Sequence, residues 1–173
     1  MPFGAGPAKA LDCFLEIANS MGLTVENFDN YAGHADYGEQ DEILGILGHV
    51  DVVPCSGNWI CDPFKPEIID GKLYGRGVLD DKGPLLACLH AVKILKAMGL
   101  PLQKRIRFIL APMKKPTGNA WIIISIKRKS LLQQDVFYTG CCISTYLCRE
   151  GCLPISTCNR YHGRACSIRR KRF

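Results

Sequence analysis

Apolar residues recur at helical spacing near the start of the chain: Leu11, Phe14, Leu15 and Ala18 fall on one face, predicting a helix over 8–21 with Gly22 as its stop. The period then changes. Residues 23–28 predict a short strand. Residues 43–53 carry Ile43, Leu44, Ile46, Leu47, Val50, Val52 and Val53 almost without polar interruption, as a strand covered on both faces would, until Pro54 ends the run. Two further strands, 65–69 and 72–74, flank Asp70-Gly71, a strong hairpin signal. A second helix is predicted over 84–98, with Leu85, Leu86, Leu89, Val92, Leu95 and Lys96 at helical spacing and Gly99 at its end. Residues 105–110 return as a strand. This order predicts an α/β fold, a partial mixed sheet with flanking helices.

Charge and cysteine usage divide the chain where this pattern ends. Up to Ala111 there are 10 Lys+Arg against 14 Asp+Glu; from Pro112 onward the counts are 12 against 2. The second part also holds six of the ten cysteines, Cys141, Cys142, Cys148, Cys152, Cys158 and Cys166. Such a break marks a second domain, an interaction tail or sequence of foreign origin. The 173 residues suit one domain with enough apolar residues for a core. The start has no basic segment leading into an apolar run, so a signal peptide is not expected. The apolar stretch 120–126 is far shorter than the roughly 20 residues that span a bilayer. A soluble, cytoplasmic protein is expected, with its cysteines as thiols.

Within this frame, His49 and Asp51 are two residues apart where a buried strand is about to leave the sheet, so they share a face. Open α/β sheets bind their ligands at the carboxyl ends of strands. A neutral imidazole is a common metal ligand, and a nearby carboxylate can fix its tautomer. An H-x-D pair by itself is equally compatible with a histidine satisfied by a backbone carbonyl. Asp80 and Asp81 shift that balance, because adjacent carboxylates just before a helix are costly to bury without a cation. The alternative is a solvated loop in which Asp81 caps the second helix. A carboxylate that bridges two divalent ions accounts better for Asp80.

GHVDVVP at 48–54, W-x-x-DPF at 59–64, DGKLYGRG at 70–77 and DDKGP at 80–84, together with ENFDNYAG at 26–33, resemble the bacterial dipeptidases of the carnosinase and aminoacylase group of dinuclear zinc metallopeptidases. The likeness runs from about residue 2 to residue 110, and it makes 1–110 part of a zinc-peptidase catalytic domain. It implies that His49 ligates one zinc, that Asp80 bridges two, that Asp51 is the assisting catalytic-site carboxylate that positions its neighbour, and that the peptide after Asp80 is cis. It implies zinc as cofactor and a dipeptide as substrate, hydrolysed by a metal-activated water whose proton a glutamate accepts. The family's smaller lid domain has no counterpart in the chain, and Met1 begins inside the family's N-terminal region.

The resemblance also requires a Gly-x-x-Glu-Glu-Thr segment directly after RFIL at 107–110, supplying the base and a ligand. The chain has Ala111-Pro112-Met113-Lys114-Lys115-Pro116 instead, and lysines there repel cations. The codons of Met-Lys-Lys-Pro, read one base earlier, can spell Asp-Glu-Glu-Thr, the first Glu forced. Those of residues 138–151, read one base later, permit a Thr-Pro-Asp-Ala segment like the family's next ligand motif. The hypothesis is that 111–173 is a frame-shifted, basic, cysteine-rich tail without regular structure on a dipeptidase fragment. Resequencing the coding DNA and finding neither segment in any frame sinks it.

Two readings follow. In the first the chain is a metallodipeptidase fragment, a hydrolase by family, that is catalytically incompetent for lack of the Glu-Glu segment. In the second it is a non-catalytic basic protein that binds nucleic acid or metal through its tail. For the second, Cys148-x3-Cys152 with Cys158-x3-His162 is irregular as a zinc site, and Arg169-Arg170-Lys171-Arg172 reads as a solvated run before it reads as a nucleic-acid contact.

Overall fold

The computed structural model describes residues 2–112 and, as backbone alone, 135–138 and 146–147. Helix α1 (Ala5–Ser20) buries the expected face, Leu11, Phe14, Leu15 and Ala18. It ends as the glycine predicts: Gly22 has φ 79°, the Gly22 N–H donates to Asn19 O and the Leu23 N–H to Ala18 O. This pair of bonds is a Schellman cap, which needs a residue tolerant of positive φ.

Strand β1 (Thr24–Phe28) pairs antiparallel with β2 (Ala32–Tyr37), an element the apolar pattern does not predict. Strand β3 (Ile43–His49) stops four residues before the expected end at 53. Strands β4 (Glu67–Ile69) and β5 (Lys72–Tyr74) form the predicted hairpin, a separate two-stranded sheet. Its turn residues Asp70 and Gly71 both have positive φ, 51° and 75°, as the mirror-image turn of a tight hairpin requires. Helix α2 (Lys82–Ala97) starts two residues earlier than predicted, which Pro84 permits because a first-turn N–H has no intrahelical partner.

Strand β6 (Arg105–Ala111) lies between β2 and β3, antiparallel to the first and parallel to the second. Strand β7 (Asp135–Tyr138) adds parallel to the other side of β3, and β8 (Tyr146–Leu147) pairs antiparallel with β7. The sheet order is β1-β2-β6-β3-β7-β8. The last two strands lie in the stretch for which the sequence predicts no element.

One core joins the two helices to the sheet: Leu11, Phe14 and Leu15 of α1 and Leu85, Leu89 and Val92 of α2 meet Ala35, Ile46, Phe108 and Leu110. The helices are also tied end to end, Lys96 Nζ donating to Met21 O at 2.8 Å. Alternate residues of β2 and β6 form a different cluster, in which Arg107 (1% exposed) clamps Asp36 (8%) through Nε to Oδ1 at 2.6 Å and Nη2 to Oδ2. Arg105 Nη1 lies 3.7 Å from the same carboxylate. Among the described residues no helix is long and apolar enough to cross a membrane.

Candidate functional site

The three parallel strands β6, β3 and β7 end side by side, with Ala111 opposite His49 and Tyr138 opposite Leu47. His49 is the last residue of β3 and 3% exposed. Its side chain is held between two carboxylates, Nδ1 to Asp51 Oδ1 at 3.0 Å and Nε2 to Asp80 Oδ1 at 3.2 Å. The structure thus brings together all three residues singled out in the sequence, although Asp51 lies just beyond the strand.

Asp80 reaches His49 because the chain turns tightly before α2. Gly77 has φ 89°, and Gly83 sits so close to Val78 that a Cβ there would lie 2.0 Å from the Val78 carbonyl oxygen. The Asp80–Asp81 peptide is cis, as the resemblance implies. Asp81 occupies the N-cap position of α2 yet makes no side-chain cap bond. Instead it is fully buried, and its Oδ2 accepts the His49 backbone N–H at 3.1 Å. The capping alternative for Asp81 gives way to a bond that ties the end of β3 to the start of α2. Nothing in the local sequence signals it, because the partner lies 32 residues back.

Burial of the His49 ring pulls its pKa down. The hydrogen bond to Asp51 and the negative charges of Asp51, Asp81 and Asp80 outweigh that and hold it above the usual histidine value. Burial, helped by the Asp81 charge, also pushes the Cys88 thiol up.

Two ligands on one tetrahedral zinc, each about 2.0–2.1 Å from the ion, have donor atoms about 3.3 Å apart. The 3.2 Å between His49 Nε2 and Asp80 Oδ1 fits that spacing, and Asp51 on the other ring nitrogen is the usual orienting partner of a ligating imidazole. The set is incomplete, however: among the described residues no group of three or more His, Cys, Asp or Glu side chains could hold a metal ion.

A cleft of about 290 Å³ opens at this cluster, its lining including His49, Asp51, Asp80, Trp59 and Arg76. The guanidinium carbon of Arg76 lies 4.8 Å from the centroid of the Trp59 ring. Both residues belong to motifs noted in the sequence, but the sequence assigns neither a role. The cysteines from Cys141 to Cys166, His162 and the basic run 169–172 lie outside the described residues.

Residues 45–126 match the peptidase family M20/M25/M40. The β-Ala-Xaa dipeptidase of Lactobacillus delbrueckii subsp. lactis is 40% identical over 139 residues, 80% of this chain and 29% of that protein. The provisionally named dipeptidase YtjP of Bacillus subtilis (strain 168) is 50% identical over 109 residues, 63% of this chain and 24% of that protein. Human carnosine dipeptidase 1 superposes with a TM-score of 0.65 at 27% identity, covering 76% of this chain and 32% of its own. An M20 metallo-carboxypeptidase of Sulfolobus solfataricus shares the fold, with a TM-score of 0.67 at 23% identity, covering 81% and 34%. The chain therefore spans between a quarter and a third of the length of these relatives. Likeness does not stop at Ala111, since the family match runs to residue 126 and a 139-residue alignment must reach further. The chain is thus similar over residues 45–126 to the M20/M25/M40 peptidases, and over most of its length to part of proteins that include dipeptidases.

Proposed function

We propose that the chain is part of a zinc-dependent dipeptidase in which His49 and Asp80 are metal ligands and Asp51 positions the imidazole. The observation that carries this is the convergence of His49 Nε2 and Asp80 Oδ1 at 3.2 Å, at the carboxyl end of the central parallel strand of a family-typical sheet. When bound, zinc would supply Lewis-acid polarisation of the peptide carbonyl and lower the pKa of a bound water. Asp51 accepts the Nδ1 proton and so leaves Nε2 as the donor to a cation. Asp81 holds the His49 backbone, and Asp80 closes the site from the helix side.

Topology also explains why the chain is expected to be inactive. On the resemblance, the segment with the base and one further ligand would follow β6 and the next ligand segment would follow β7, on either side of His49. Here β6 leads into Pro112-Met113-Lys114-Lys115, and Tyr138 is followed by Thr139-Gly140-Cys141. Loss of the general base typically costs about 10²–10⁴ in rate.

Equilibrium dialysis of the full chain against Zn²⁺ tests the ligand assignment. Binding is expected to be lost in His49→Ala and Asp80→Ala and weakened about 10–100-fold in Asp51→Asn, the usual effect of removing an orienting partner. Retention of full binding by His49→Ala overturns it. Dipeptide hydrolysis by the Zn²⁺-loaded chain at a family-like rate overturns the inactivity.

A further inference from the structure

Arg76 is fixed from several directions. Its backbone N–H donates to Pro63 O at 2.7 Å, Nε to Cys55 Sγ at 3.3 Å and Nη2 to Pro54 O at 3.3 Å, while Trp59 lies against the guanidinium face. The acceptors are a carbonyl and a cysteine sulfur, neither of them a carboxylate. Among the described residues no carboxylate pairs with Arg76, in contrast to Arg107 and Arg105, which share Asp36. A guanidinium stays protonated at any physiological pH and matches a carboxylate in bidentate geometry. Held by stacking, it has already lost the rotamer freedom that a binding partner would otherwise have to freeze.

The cleft lining therefore carries both signs of charge, the carboxylates of Asp51 and Asp80 with His49 and the guanidinium of Arg76. Its volume of about 290 Å³ lies at the small end of ligand sites, the size of a short peptide. We propose that Arg76, braced by Trp59, is the subsite for a carboxylate of the peptide ligand, and that it sets a preference for dipeptides with a free terminal carboxylate. The identity of the ligand rests on the dipeptidase reading; the anion preference of Arg76 does not need the metal.

The test uses the metal-free full chain in chelator, titrated with alanylalanine and with its C-terminal amide while the Trp59 indole N–H resonance is followed by NMR. The acid is expected to move that resonance with an affinity about tenfold higher than the amide, the worth of one charge-assisted hydrogen bond. Arg76→Met removes the difference, and Arg76→Lys, which keeps the charge but not the fork, retains part of it. Equal binding of acid and amide overturns the proposal, and because it is measured on the unaltered chain it does not depend on how a variant folds. Failure of the unaltered chain to bind Zn²⁺ together with a retained acid preference refutes the metal reading alone; Zn²⁺ binding with equal affinity for acid and amide refutes the Arg76 subsite alone.

Discussion

Two charged clusters are buried at the same sheet, and they are balanced differently. At Asp36 one carboxylate meets two guanidinium groups, those of Arg107 and Arg105, with the His34 ring 3.9 Å from the same carboxylate. At His49 three carboxylates, Asp51, Asp80 and Asp81, surround one imidazole. The first arrangement pairs its carboxylate within the chain and joins β2 to β6. The second leaves an excess of negative charge around a titratable group, which on the proposed reading an external cation would offset.

The largest effect expected from breaking this contrast is in the Asp36 cluster. Arg107→Met takes from a buried carboxylate its hydrogen-bonded guanidinium, leaving only Arg105 at 3.7 Å and His34 at 3.9 Å, and should cost about 3 kcal/mol in urea unfolding, with Asp36→Leu in the same chain recovering part of it. A single-variant loss below about 1 kcal/mol would show that the carboxylate does not depend on the clamp. Next, Asp81→Ala leaves the buried His49 N–H without its acceptor, at a cost of about 1–3 kcal/mol. Gly83→Ala drives a Cβ into the Val78 carbonyl, and overpacking of this kind costs about 1–3 kcal/mol. It should also weaken Zn²⁺ binding, because the turn it displaces carries Asp80.

The smallest effect sharpens the comparison through pH. His49 has a folded pKa above its ordinary value, so its contribution to stability is fully present below about 6.5, the unfolded value, and is lost as pH rises through the folded one. The metal-free chain should therefore lose stability on the alkaline side of 6.5, and His49→Gln should flatten that slope. An equal slope in His49→Gln would assign the pH dependence to other groups.

The sequence made legible what local rules govern. Gly22 and Gly99 end their helices and Asp70-Gly71 turns the hairpin because those positions need positive φ. His49, Asp51 and Asp80 were legible because their types and spacing carry chemistry. Strand β2 was not, since its buried positions are small or polar: Gly33 packs under Leu11 and Leu15, and Asp36 is buried by an arginine 71 residues away. The run through Val53 overstated β3 because Val50, Val52 and Val53 are apolar outside a strand. Val50 is buried in the core, while Val53 is 51% exposed. Asp81 and Arg76 owe their roles to tertiary partners, which no spacing rule reports.

The bond from the His49 N–H to Asp81 also supplies a reporter. A buried amide that donates to a carboxylate exchanges slowly with solvent deuterium for as long as α2 stays docked against the end of β3. Its protection therefore reads the stability of that junction at a single position, while Leu85 and Leu89 read the helix packing alone.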